Sequence, residues 1–521
     1  MREKERGTLR KLEAKRKESI YLIIRGIEVG IAAGLVSVLY RWLLSTAENG
    51  LESIIEFVKG SPAKTALWFI ALAALGVFVS LIVKWEPMSA GSGIPQISGE
   101  IRGYLSPKWW RVILAKLIGG TAAVFGGLSL GREGPSIQLG GMAAKGVAEI
   151  TKADKTTKLR MISCGSGAGL AAAFNAPLAG IMFVLEELQH TFDKSILCMG
   201  IVACVTADFV SKIFFGQSTI FSYETANVPL RYYWLLVILG LLLGALGAGY
   251  NIVMIFGQDI FKKLKRIPQW VKLCAVFIIS GIIAFYIPQI LGGGHSMVEF
   301  LLEEHPTIPV MLFLLIAKFI FSTISFGSGA PGGIFFPLLI LGTYIGAIYG
   351  DASISLLGLD AEIWEEFVVI SMAGLFASIV RSPITGIILV FEMTGNINNL
   401  LPLVVVSLIS YATANLIGVT PIYTSLLERI LKGLGDEAAV PARAEKVLKT
   451  YVIPTGSPVN GKLISDIDWG RHCVIVSVER DENPMTPKGN TVLKSGDEMV
   501  FLVSQRHFAD DCARLERIIN G

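Results

Sequence analysis

The 521-residue chain is 52% hydrophobic and only 17% charged, with a formal net charge of +4. Soluble domains run nearer a quarter charged, which argues against a water-soluble enzyme, and so small a positive charge does not point to nucleic acid. Charge gathers at the two ends: 12 of residues 1–19 and 22 of residues 441–521 are Lys, Arg, Asp or Glu, out of 88 in the whole chain.

The arm 1–19 holds eight Lys/Arg against four Glu and reads as a surface helix. Its positive excess beside the first apolar run places the N-terminus in the cytosol. The 19 polar residues ahead of that run are a poor fit to a secretory signal peptide. Apolar stretches at 20–45, 63–85, 232–256, 271–291 and 309–326 are long enough to span a bilayer. Those at 95–104, 135–147, 177–189, 337–349 and 383–393 read as too short, since roughly 13 residues cover only about 20 Å of a ~30 Å core. Helices that stop inside a membrane must face protein or a polar cavity, and broken helices of this kind are typical of transporters.

Several short pieces start in Gly/Pro turns: Gly-Ser-Gly-Ile-Pro at 91–95, Gly-Arg-Glu-Gly-Pro at 131–135 and Gly-Gly-Ile-Phe-Phe-Pro at 332–337. Proline in a first helical turn removes an amide that would be orphaned anyway. An internal repeat is also visible. Asn-Ala-Pro-Leu-Ala-Gly-Ile-Met-Phe-Val-Leu-Glu at 175–186 matches Arg-Ser-Pro-Ile-Thr-Gly-Ile-Ile-Leu-Val-Phe-Glu at 381–392, and Pro135-x4-Gly140 matches Pro337-x4-Gly342. The near-equal offsets imply two halves, 20–220 and 228–432, with a substrate site between them. Beyond a linker at 435–445, residues 446–521 turn to alternating strands (473–479, 498–503), turn clusters at 481–484 and 487–490, and a helix at 508–519, the pattern of a small soluble α+β domain.

Helix N-termini carry free N–H groups and partial positive charge. Several of them aimed at one point inside a membrane would hold a small, hard anion without a full cation that binds too tightly for release. The three Gly turns and the turn at 419–423 supply such ends. Ser92 and Tyr423 add hydroxyl donors, useful to an anion and not to a cation. Glu133, at a helix start, can occupy an anion position itself and leave when protonated, which makes it a gate coupled to protons. Glu186 and Glu187 sit at the end of the 177–189 piece; one reads as a solvated helix end and the other as an inner proton relay. For Glu392, the repeat mate of Glu186, a solvated or structural role is expected. Six scattered cysteines and five scattered histidines suggest neither a disulfide framework nor a metal site, and no cofactor is expected.

The three glycine motifs, in this order and spacing, resemble the signature of the CLC chloride channel and transporter family. The likeness continues through Phe-Asn-Ala-Pro-Leu-Ala-Gly-Ile-Met-Phe-Val-Leu-Glu-Glu at 174–187 and Pro-Ile-Tyr-Thr-Ser-Leu-Leu at 421–427. It implies an all-α polytopic membrane protein built from two inverted repeats of tilted and broken helices, occupying 20–434. It further implies a homodimer in a lipid bilayer, one pore per subunit. By motif position, Ser92 and Tyr423 are the hydroxyl donors to chloride, Ile334 and Phe335 the backbone donors, Glu133 the gate and proton carrier, and Glu187 the internal proton-transfer residue. Gln96 and Ser98 depart from the acids that some bacterial exchangers carry there, and Phe336 replaces a smaller residue. Proton–chloride antiport in a cell (inner) membrane, both termini cytoplasmic, is the leading expectation; a passive chloride channel is the alternative. The tail resembles the RCK-C (TrkA-C) fold, which suggests dimerisation and a small ligand without naming one. A potassium transporter is disfavoured by the lack of a Thr-Val-Gly-Tyr-Gly filter. An embedded enzyme is disfavoured by the lack of a metal cluster or nucleophile elbow.

Overall fold

The computed structural model describes residues 2–217, 228–396, 400–434, 446–470, 473–480, 483–504 and 508–520. The expected linker at 435–445 lies outside the described residues. The chain divides into two compact units, a helical one of Met1–Ile101 and Leu105–Gly433 and a smaller one of Leu434–Gly521, with which Arg102–Tyr104 are grouped.

The helical unit opens with α1 (Arg2–Val58), α2 (Pro62–Trp85), α3 (Ile94–Ile101), α4 (Trp109–Phe125), α5 (Glu133–Ile150), α6 (Lys155–Phe174), α7 (Pro177–Phe183) and α8 (Lys194–Phe215). It continues with α9 (Tyr233–Lys263), α10 (Gln269–Tyr286), α11 (His295–Glu304), α12 (Ile308–Gly327), α13 (Phe335–Leu357), α14 (Trp364–Val380), α15 (Pro383–Thr394) and α16 (Leu400–Ile417), and closes with α17 (Ile422–Gly433). The first eight helices and the next eight repeat one order, with the shortest members third and seventh in each set. This is the doubled organisation that the sequence repeat implies.

Among the described residues, nine segments are long and apolar enough to cross a membrane. Three of them, Lys194–Phe215, Ala361–Val380 and Leu400–Ile417, are absent from the sequence reading. Two further corrections concern length. The arm 1–19 is no separate surface helix: α1 runs unbroken for 57 residues, about 85 Å at 1.5 Å per residue. The piece at 337–349 is not short, because α13 has 23 residues and carries on through Gly350 and Asp351.

Burial follows position. Pro62–Trp85 presents mostly exposed apolar side chains, whereas Ala361–Val380 is almost wholly enclosed. The α6 sequence Gly-Ser-Gly-Ala-Gly-Leu-Ala-Ala-Ala-Phe lacks bulk, so α6 lies close against α5. A Cβ on Gly140 would stand 2.2 Å from the Gly165 carbonyl. Without a hydrophobic drive between helices in lipid, such close backbone packing supplies much of the cohesion.

The smaller unit is a four-stranded antiparallel sheet of order β1-β4-β2-β3, with β1 (Lys446–Val452), β2 (Cys473–Arg480), β3 (Asn483–Met485) and β4 (Glu498–Ser504), packed by α18 (Phe508–Asn520). Lys446 pairs with Ser504 and Val452 with Glu498, and β2 is bulged between Ile475 and Ser477. Met499, Phe501 and Val503 alternate into a core with Trp469, Val478, Leu493, Leu515 and Ile519. β1 has no counterpart among the strands expected from sequence, and β3 begins inside the expected turn cluster at 481–484.

One ion pair secures this sheet. Arg480 grips Asp497 with Nε at 2.6 Å and Nη2 at 2.7 Å, and the Lys494 amide donates to the same carboxylate at 2.8 Å. Burial pushes the Asp497 carboxyl up, but the Arg480 fork and the Lys494 amide outweigh it and hold the group below the ordinary carboxylate range. Its stabilising contribution is therefore complete above the unfolded value near 3.9 and disappears as pH falls through the lower folded value. Asp497→Asn is expected to weaken amide-exchange protection of β2 and β4 in the full-length protein by about 1.5–3 kcal/mol at neutral pH. The difference from the parent should vanish in acid.

Candidate ion-binding site

Four helix starts converge in the helical unit: α3 after Gly-Ser-Gly, α5 within Gly-Arg-Glu-Gly-Pro, α13 after Gly-Gly-Ile and α17 after Val-Thr-Pro. The approach of three of them, α3, α5 and α13, is fixed by backbone pairing across the halves. Gly131 N donates to Gly333 O at 2.7 Å and Gly333 N to Gly131 O at 2.8 Å. Gly332 N donates to Gly91 O at 3.1 Å, and Gly91 N to Ala330 O at 3.2 Å. The antiparallel Gly131–Gly333 bridge sets the starts of α5 and α13 head to head, as an inverted repeat requires.

Glycine is needed here for space. A Cβ on Gly134 would lie 2.3 Å from Ser92 Oγ. One on Gly131 would lie 2.6 Å from Glu133 Oε2 and 2.9 Å from Pro337 Cδ. The Glu133 carboxylate thus folds back over Gly131 toward the start of α13.

The sequence-predicted residues are all enclosed: Glu133, Ile334 and Phe335 are 0% exposed, and Ser92 and Tyr423 are 2% exposed. Ser92 Oγ and the Tyr423 hydroxyl make no hydrogen bond, and the Glu133 carboxylate is met by the backbone amides of Glu133 and Phe336 at the starts of α5 and α13. Buried polar groups are rarely left so, and a cluster of them marks a place kept for a ligand. Arg132 Nε lies 3.7 Å from Glu133 Oε1. Tyr423 lies within electrostatic reach of both Glu133 and Glu187. The Phe335 ring packs against Phe174, Phe183 and Phe376 with centroids 4.8–6.3 Å apart.

The two acids near the end of α7 part company. α7 gives way to a π-helical turn, Val184–Gln189, that carries both. Glu187 is buried and accepts from Ser382 Oγ at 2.9 Å. Glu186 is not a free solvated end. It accepts from Thr385 N and Oγ at 2.8 Å each and from Ile384 N at 3.2 Å, and so caps α15. Its repeat mate does the converse: Glu392 accepts from Leu178 N at 3.0 Å and Ala179 N at 2.8 Å at the start of α7. Each half caps the other's broken helix, satisfying amides that lipid would leave bare.

Sequence reasoning missed two buried lysines. Lys116 of α4 donates to Ser89 O at 2.8 Å and Gly91 O at 2.6 Å. Lys318 of α12 donates to Ile290 O and Gly292 O, both at 3.0 Å. Each ammonium holds a glycine loop. The signal was available: Ile-Leu-Ala-Lys-Leu-Ile and Leu-Ile-Ala-Lys-Phe-Ile stand 202 residues apart, the offset of Pro135 and Pro337.

Two vestibules flank this centre. A cavity of about 400 Å³ reaches Ser92 and is lined by Lys262, Lys272 and Arg429. A cavity of about 560 Å³ is lined by Glu48, Glu52, Glu56, Lys59 and Glu299. Helix dipoles and hydroxyls at the middle, with a basic mouth on one side, can hold and pass an anion.

Comparison with known proteins agrees with this chemistry. The sequence profile of the voltage gated chloride channel family matches residues 75–415, and that of the TrkA-C domain matches residues 448–514. The H(+)/Cl(-) exchange transporter ClcA of Vibrio cholerae is 35% identical over 438 residues, 80% of this chain and 92% of the relative. ClcA of Klebsiella pneumoniae is 34% identical over 451 residues, 84% of this chain and 94% of the relative. The crystal structure of a slow cyanobacterial Cl-/H+ antiporter superposes with a TM-score of 0.75 at 30% identity, over 79% of this chain and 98% of that one.

The reciprocal caps are testable on their own. Glu392→Ala and Glu186→Ala should each destabilise the detergent-solubilised protein by about 1–2 kcal/mol, seen as a lower melting temperature. Gln at either position should retain part of the loss, since its carbonyl still accepts one amide.

Proposed function

The chain belongs to the CLC family of voltage-gated chloride channels and transporters, and on that footing we propose that it exchanges chloride for protons, with Glu133 as gate and proton carrier. Ser92 and Tyr423 give hydroxyl donors to the central chloride, and Ile334 and Phe335 give amides at the head of α13. Ionised Glu133 competes with chloride for the helix ends. Once protonated it loses its attraction to them, swings away, and carries the proton with it. Glu187, held by Ser382, exchanges protons with the inner solution off the anion path. The observation that supports this reading is a pair of buried acids within electrostatic reach of Tyr423, one of them set among backbone amides at the convergence of helix starts. The passive-channel alternative uses the same anion path but gives Glu187 no task.

The basic arm before the first span and the cationic vestibule of Lys262, Lys272 and Arg429 support a cytosolic placement for that face and for both termini. The protein then works in a cell (inner) membrane as a homodimer with one ion path per subunit, as the family likeness implies. Lipid covers exposed apolar side chains such as Leu81, Phe209 and Ile282. The TrkA-C unit regulates and takes a small ligand.

In liposomes, a chloride gradient should drive protons uphill; chloride movement with no proton flux would leave the channel reading instead. Glu133→Gln is expected to pass chloride while proton coupling is abolished, and undiminished proton pumping by that variant would remove Glu133 from the gate. Calorimetric chloride binding should weaken by about 0.5–3 kcal/mol in Tyr423→Phe and in Ser92→Ala. Unchanged affinity in both would place the anion elsewhere.

A further inference from the structure

The acidic vestibule is at odds with an anion path. Glu48, Glu52 and Glu56 recur every four residues along α1 and, with Glu299, face the same cavity. Fixed carboxylates at a mouth repel chloride and concentrate protons. One of them also belongs to a second space. Glu48 lines a separate small cavity of about 10 Å³ together with Arg132, Glu133, Gly293, His295 and Phe336. Glu133 itself is wholly buried. A cavity of that size admits about one water, too few for a water wire from the mouth to Glu133. A proton bound for Glu133 from this side therefore moves fastest through a titratable group at the junction. Glu48 and His295 line both spaces; the His295 ring lies on Phe336, whereas Glu48 continues the row of carboxylates from the mouth.

We infer that Glu48 is the outer proton-transfer residue, passing protons between the acidic vestibule and Glu133. Water in the vestibule gives a proton to the Glu48 carboxylate. The Glu48 O–H then gives it to the Glu133 carboxylate, directly or through one water, and Glu48 is ionised again. Release outward is the reverse, and no other bond changes.

The surroundings suit the task. Glu48 Oε1 lies against the Gly292 backbone, where a Cβ would be 3.2 Å away, and Lys318 holds that same loop. The charged and titratable groups facing Glu48 are Arg132 and Glu133 of the α5 start, Lys318 of α12, His295 and Glu299 of α11, and Tyr40, Glu52, Glu56 and Lys59 of α1. Charges of both signs thus stand close to Glu48, and a carboxyl so placed can both take up and give away a proton.

The proposal rests on proton–chloride exchange, and one experiment separates the two. Full-length protein in liposomes is assayed for coupled flux while the pH on the vestibule side is varied, for the parent, Glu48→Gln and Glu48→Asp. Glu48→Gln is expected to slow exchange roughly tenfold at neutral and alkaline pH on that side. Acid on that side should restore the rate by protonating Glu133 without the relay. Glu48→Asp should keep most of the rate at all pH values, and calorimetric chloride affinity should be unchanged in both. A Glu48→Gln variant with the parent's rate across pH overturns the assignment. So does a loss that acid does not restore, and so does equal loss in Glu48→Asp. A parent chain that moves no protons overturns the exchange reading itself.

Discussion

Everything in the helical unit hangs on the mutual hydrogen bonds of Gly131 and Gly333. They form an isolated antiparallel bridge, set where α5 of one half and α13 of the other begin. Each bond satisfies a backbone group that has no water to turn to. Each also fixes the distance between α5 and α13, so that their N-terminal amides face one region. Lys116 and Lys318 extend the same constraint outward by holding the glycine loops beside it. Their charges are spent on carbonyls. The centre thus retains dipoles, hydroxyls and one buried carboxylate.

Much of this was legible because proline and glycine leave unambiguous marks. α7 begins at Pro177 and α15 at Pro383, as the sequence says, since proline fits only the first turn. The three glycine turns named the convergence point, and Glu133 was conspicuous as an acid inside one of them. Other elements were hidden by local chemistry that tertiary packing overrides. Asp351 after Gly350 looks like a helix end, yet α13 runs through it. Glu362, Glu365 and Glu366 disguise the start of a span as a surface loop. Glu186 and Glu392 looked ordinary because a cap supplied from more than 190 residues away has no local signature. Glu48 follows the first apolar run on what reads as a plain solvated helix face; only the fold brings it to Glu133.

The two mouths differ in sign, and this shapes the energetics of passage. Lys262, Lys272 and Arg429 raise the local anion concentration at one side, while the Glu48 face lowers it at the other. Both effects act over about 8 Å at physiological salt, so they are strongest where the vestibules narrow. A basic mouth favours an anion and an acidic mouth a proton.

The exchanged caps also bear on how the chain is made. The amide of Leu178 finds its carboxylate 214 residues later, at Glu392. At about 5–20 residues per second, a ribosome takes roughly 10–40 s to supply it. Through that interval the first half sits in or beside the bilayer with an open helix end and unpaired glycine turns. It cannot be a finished, independently stable piece. Completion of the first half waits on arrival of the second, and a nascent chain stalled between them would present those bare amides to the insertion machinery.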